Sequence, residues 1–155
     1  MTIFLLWALV VLFGFHLAGH LYDMLANQPN WKSGEIPDVQ RYRDFYRVAS
    51  PARFFAPLVF GCTLMSIVTL AAVWKSGMPT VRNSVLLALI ISLVVLVMTM
   101  QVFVPLNNFF FGTPAFDAEE LRRKVSRWIT LEFVRTTLLA IGFSSAIAAL
   151  NAFMK

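Results

Sequence analysis

The sequence predicts an all-α fold: a four-helix transmembrane bundle with a short amphipathic interfacial helix in its first loop. Three observations predict it. Hydrophobic residues make up 59% of the 155 positions and charged residues only 14%, whereas a soluble domain carries about a quarter charged residues. Four stretches approach or exceed the ~20 residues needed to cross a ~30 Å hydrocarbon layer. The connections between them are short, so consecutive spans become antiparallel neighbours. No room is left for a second, soluble core, and residues 1–155 read as one integral membrane domain.

The first span is placed at 2–26. Ile3 to Phe15 is apolar, with Trp7 near its start, but it is too short to cross unless His16 and His20 are included. The segment has no basic stretch before it and no small-residue cleavage site after it, so it is expected to be a retained span and not a signal peptide. Gly14 and Ala18 form a small-xxx-small pair that suits close helix packing. Gln28-Pro29-Asn30 ends the helix, and Lys32-Ser33-Gly34 reads as a turn. Pro37 suits the first turn of a helix, along which Val39, Tyr42, Tyr46 and Ala49 recur at helical spacing until Ser50-Pro51. This is the amphipathic helix expected to lie in the interface or to cap the bundle.

The second span, 53–74, carries Pro57 near its start, where proline costs least. Lys75 to Pro79 is a tight connection to the third span, 82–105, which Pro105 is expected to end. Phe109 to Pro114 then reads as an apolar loop resting on protein or lipid. Asp117, Glu119 and Glu120 open the last helix, as the helix dipole favours. Its membrane span, 127–152, contains Gly142, Ser145, Ala146 and Ala149 at i, i+3, i+4 and i+7, a seam for close packing.

The net charge of +5 lies in the connections. Lys32, Arg41, Arg43, Arg47, Arg53, Arg122, Arg123, Lys124 and Arg127 stand on the side of loops one and three, against Lys75, Arg82 and Lys155 on the other. The positive-inside rule puts loops one and three in the cytoplasm, with the inner membrane of a bacterium as the expected location. The bilayer is the first expected partner. Nucleic acid is excluded, because no basic run with interleaved aromatics is long enough to track a phosphate backbone. Cys62 is the only cysteine, so there is neither an intrachain disulfide nor a cysteine metal cluster.

Two polar stripes interrupt this apolar chain. His16, His20 and Asp23 lie at i, i+4 and i+7 on one face of the first span. Two imidazoles one turn apart can bind a metal such as iron, copper or zinc, with Asp23 as third ligand or orienter. The same residues serve equally as acid–base groups without metal, or as polar packing. Glu132 and Arg135 share a face of the last span. They read either as an ion pair that locks helices or as a pocket in which Arg135 holds an enolate, phenolate or carboxylate while Glu132 moves a proton. Ionisable residues at membrane depth face a bundle interior or a wet cavity. Asn107 and Asn108 read as helix termination or as amides fixing a substrate oxygen. Trp31, Tyr42, Tyr46 and Trp128 read first as interfacial aromatics.

Val104-Pro105-Leu106-Asn107-Asn108, an acid-bearing linker, and Arg127-Trp128 with Arg135 seven residues after the tryptophan resemble the anthrone-oxygenase-like family of small four-helix membrane proteins. The resemblance covers about Val85 to Leu150, and it implies oxygenation of an anthrone to an anthraquinone without an obvious cofactor. Pro105, Asn107, Trp128 and Arg135 are the family positions it marks. Glu132 between Trp128 and Arg135, and the polar first span, mark a divergent member.

The expected function is that of a membrane oxidoreductase or monooxygenase acting on a small aromatic or lipophilic substrate. Glu132, Arg135 and Asn107 would act at the reacting centre, Trp128, Asn108 and Tyr42 would hold substrate, and His16, His20 and Asp23 would form the metal-assisted variant. The alternative is a non-enzymatic membrane subunit or binding protein whose buried polar residues fix helix packing, as a homo-oligomer or within a complex.

Overall fold

A computed structural model describes residues 1–155. Six α-helices follow one another: α1 (Thr2–Tyr22), α2 (Ile36–Phe45), α3 (Ala52–Val73), α4 (Pro79–Met98), α5 (Val104–Gly112) and α6 (Ala118–Phe153). A π-turn at Asp23–Asn27 and a 3₁₀ turn at Gln28–Asn30 extend α1, and a second π-turn at Thr99–Phe103 joins α4 to α5. Four continuous helical stretches are long and apolar enough to cross a membrane: Thr2–Asn30, Ala52–Val73, Pro79–Gly112 and Ala118–Phe153. The chain is an integral membrane protein.

The four spans pack as α1 against α3 and α6, and α4 against α3 and α6. The core between them is built from Leu6, Leu9 and Phe13 of α1, Cys62 and Val73 of α3, Val85, Ala88 and Val95 of α4, and Leu139, Ala146 and Ala149 of α6. The predicted small seam is buried as a set. At Gly142 a side chain would run into the ring of Phe13 and into Ile91, so only a bare backbone lets α6 approach α1 and α4 this closely. The Gly14–Ala18 pair serves differently. Gly14 meets Phe143, but Ala18 is exposed, and it is Gly19 that makes room for Phe54 and Phe55 of α3.

At ~1.5 Å per residue, the ~30 Å hydrocarbon layer takes up about 20 residues of α6 counted back from Phe153, reaching the neighbourhood of Glu132. The first turns of α6 therefore stand beyond the apolar layer. So do α5 and the loop bearing α2, and together they form a cap with its own core. Trp31, Val39, Phe103, Leu106, Phe110, Leu121, Val125 and Trp128 are buried there. The Asp117 carboxylate caps α6 by accepting the Glu120 N–H at 2.8 Å. Arg43 reaches across to donate to the Thr113 carbonyl at 2.6 Å.

Four expectations are corrected here. Pro105 does not end the third span. It sits in the first turn of α5, and the helix runs on to Gly112. Proline lacks an N–H and presses on the preceding turn, and the π-turn immediately before it widens the helix to absorb both defects. Phe109 to Gly112 is accordingly helix and not loop. Trp31 is no interfacial aromatic. It is buried, with its ring 5.0 Å from that of Trp128 and 4.9 Å from that of Tyr42. The amphipathic helix forms as expected but stops at Phe45, before Ser50-Pro51.

Candidate functional site

The two polar stripes meet where the membrane half joins the cap. Leu6, Leu9, Phe13, His16 and His20 recur every three or four residues as the buried face of α1, and Trp128, Glu132, Arg135 and Leu139 do so on α6. Packing α1 on α6 brings the His20 imidazole to Glu132, Nδ1 to Oε1 2.5 Å. The other Glu132 oxygen accepts from the Arg135 guanidinium. A carboxylate only accepts, so Nδ1 of His20 carries the proton and donates it. Glu132 and His16 are fully buried, and Arg135 is 6% exposed.

Aromatic rings enclose this chain of partners. Phe55 of α3 stacks on His20 with centroids 4.3 Å apart. The Arg135 guanidinium lies 3.5 Å from the centre of the Phe103 ring, a cation–π contact away from water. His16 lies behind His20, rings 5.0 Å apart, with Nδ1 3.8 Å from the Cys62 sulfur. Nε2 of both histidines and Nε of Arg135 have no hydrogen-bond partner in the protein.

Arg135 opens onto a cavity of about 310 Å³. Its polar wall is Asp23, Tyr42, Ser50, Thr99, Asn107, Asn108 and Arg135, and its apolar wall includes Phe55, Phe103, Phe111 and Trp128. Asn107 and Trp128 are fixed to each other, the indole N–H donating to Oδ1 at 3.3 Å. Burial pushes the Tyr42 phenol well above its ordinary range, so it keeps its proton and can donate. Asp23, in the π-turn after α1, accepts from Asn27 at 2.9 Å.

Six of the nine residues singled out in the sequence line this cavity: Asp23, Tyr42, Asn107, Asn108, Trp128 and Arg135. Glu132, His20 and His16 stand behind the wall and are not part of it. Glu132 therefore holds Arg135 and does not face the space in front of it. The stripe does not fit a metal ion as a three-ligand set. No group of three or more His, Cys, Asp or Glu side chains is close enough to hold one, because Asp23 is turned to Asn27 and Glu132 is committed to His20 and Arg135.

Sequence reasoning missed Phe55 and Phe103. Phe55 precedes Val59, Cys62 and Ser66 at helical spacing and could have been found on that buried stripe. The register of Phe103 depends on the π-turn, which has no local signature in the sequence.

No curated protein and no solved structure matches the chain. One family model does. Described as anthrone oxygenase, it matches residues 45–145, a segment that runs from the end of α2 well into α6. The segment holds Asn107, Trp128, Glu132 and Arg135, and leaves His16, His20 and Asp23 outside. The match spans well over half of the sequence, and it carries the same Pro-x-Asn and Trp-x6-Arg elements that lie at the cavity. The chain belongs to the anthrone oxygenase family.

Proposed function

We propose that this protein is a membrane oxygenase that takes a small aromatic or lipophilic ketone or phenol into the cavity between the spans and the cap. The observation that carries the reading is Arg135, a buried guanidinium that is held from behind by Glu132 and His20 and forms part of an aromatic-walled cavity. Such a group, fixed before substrate arrives, stabilises an oxyanion in a dry site. About 310 Å³ is at the lower end of the ~300–1,000 Å³ typical of small-molecule pockets. Flat aromatic walls and a few convergent polar groups suit a planar, oxygen-bearing molecule.

The chemistry is that of an activated methylene. Loss of a proton from carbon next to the conjugated ring system leaves an enolate, whose oxygen Arg135 holds, with Asn107 and Tyr42 as neighbouring polar groups. Dioxygen adds at the carbon, the peroxide takes up a proton, and loss of water leaves a ketone. In sum, CH₂ and O₂ become C=O and H₂O. Trp128 and Asn108 form the rest of the pocket. The excess of basic residues beside loops one and three supports placing the cap in the cytoplasm of a bacterium, with the spans in its inner membrane.

Anthrone tests the reading. Protein in mild detergent is expected to take up dioxygen and form anthraquinone one for one, above the spontaneous rate. Arg135→Gln is expected to lose about 100- to 1,000-fold, the usual effect of removing an oxyanion donor. Uptake at the spontaneous rate by folded wild-type protein overturns it. A second reading, a non-enzymatic subunit, is favoured by one fact: both Glu132 oxygens are already filled by protein groups, as in a buried packing device.

A further inference from the structure

We propose that Asp23 is the base that removes the substrate proton, a role that rests on the oxygenase reading above. Enolate formation needs a proton acceptor facing Arg135 across the cavity. Glu132 is committed at both oxygens and stands behind the wall. His20 gives Nδ1 to Glu132 and is covered by Phe55. His16 is fully buried behind it. Tyr42 is held in its protonated form by burial and is a donor. Asp23 is the one carboxylate in the cavity wall. Its Oδ1 accepts from Asn27, which orients the group.

Two further features set Asp23 apart from an ordinary polar packing residue. It opens the π-turn that follows α1, and a π-turn rotates the residues after it relative to a regular helix, a device frequent at functional sites. It also borders a second cavity of about 520 Å³ between α1 and α3, whose wall includes Asn27, Tyr46, Ser50 and Arg53. Asp23 is thus on the partition between the chamber holding Arg135 and an outer, more open chamber. A base in that position takes a proton on one side and can release it on the other.

The step balances within the site. The substrate C–H bond breaks, its proton goes to the Asp23 carboxylate, and the electron pair moves through the carbonyl to the oxygen held by Arg135. Dioxygen enters only afterwards. Proton removal can therefore be measured without oxygenation, as exchange of the anthrone methylene hydrogens for deuterium in D₂O under anaerobic conditions.

Wild-type protein is expected to accelerate this exchange over a detergent blank. Asp23→Asn keeps an oxygen for the Asn27 hydrogen bond and removes the base. It is expected to lose about 100-fold or more in exchange, within the range for general base catalysis, and as much in dioxygen uptake. Binding of anthraquinone, read by quenching of tryptophan fluorescence, should persist, which shows a folded cavity. Asp23→Glu should recover part of the exchange. Asp23→Asn that exchanges as fast as wild type overturns the assignment and leaves the oxygenase reading standing, as does a variant that exchanges normally and fails only with dioxygen. Wild-type protein that binds anthraquinone but neither exchanges anthrone nor takes up dioxygen overturns both.

Discussion

The membrane half and the cap of this bundle are held together by different means. Between the spans, contact depends on what is absent: Gly142, Ser145, Ala146 and Ala149 let α6 come close to its neighbours. Lipid tails are as apolar as leucine, so helices associate there through close van der Waals fit. The cap faces water and is built the opposite way. Trp31, Phe103, Phe110 and Trp128 meet edge to face and remove large apolar surfaces from solvent. The charged residues of the site lie at the join. A guanidinium placed deeper would have no cavity to face, and one placed higher would be screened by water.

The largest effect is expected where the two halves meet. Glu132→Leu leaves Arg135 buried without its carboxylate, and breaking a buried pair on one side typically costs about 3–5 kcal/mol. Replacing the whole set, with His20→Leu, Glu132→Leu and Arg135→Met together, should recover most of that loss or exceed wild type, because no charge is then left to desolvate. Reversible unfolding in mixed micelles checks both. A triple variant as unstable as the single one would mean that the chain of partners itself holds α1 to α6. A triple variant that is stable and still oxygenates anthrone would remove Arg135 from the mechanism.

Two glycines sharpen the contrast at intermediate size. Gly142→Val drives a branched side chain into Phe13 and Ile91, and overpacking of this kind costs about 1–3 kcal/mol. In the cap, a Cβ at Gly112 meets nothing within 4 Å. Gly112→Ala should therefore be neutral, or stabilise α5 by up to about 0.5–1 kcal/mol through helix propensity. Equal losses at the two positions would show that the cap is packed as tightly as the spans.

Periodicity reveals the faces of these helices, and pairing across the chain decides the rest. The stripe of His16, His20 and Asp23 and that of Glu132 and Arg135 were both legible as single helix faces. That His20 meets Glu132, 112 residues away, follows from the packing of α1 on α6, which no local spacing encodes. The Pro-x-Asn and Trp-x6-Arg elements were legible as a family resemblance, and the family match includes them. Pro105 was misread because proline usually breaks a helix, and the π-turn that accommodates it is invisible before the backbone is seen. Trp31 was misread for a related reason. An aromatic beside a span normally marks the interface, but here the first loop folds back and buries it against α5 and α6. The metal reading rested on local spacing, and the fold turns Asp23 toward Asn27 and the cavity wall instead.

The smallest expected loss of stability lies within the cap and separates its packing from its chemistry. Trp128 contributes a ring to the aromatic core and an N–H to Asn107. Trp128→Phe keeps most of the ring and removes only the donor. At 3.3 Å this is a long, neutral hydrogen bond in a partly buried place, so stability should fall by about 0.5–1.5 kcal/mol, less than for Glu132→Leu or Gly142→Val. Function should respond differently. Without the indole N–H the Asn107 amide can turn, and a polar group aimed at a substrate oxygen loses its fixed direction, which is where positioning contributes to rate. The expected pattern is therefore a modest loss of stability beside a fall in kcat for anthrone, with anthraquinone binding little changed. A fall in binding with kcat intact would make Trp128 a stacking wall and take Asn107 out of the reacting centre. Unchanged kinetics would leave the Trp128–Asn107 pair as a structural brace between α5 and α6.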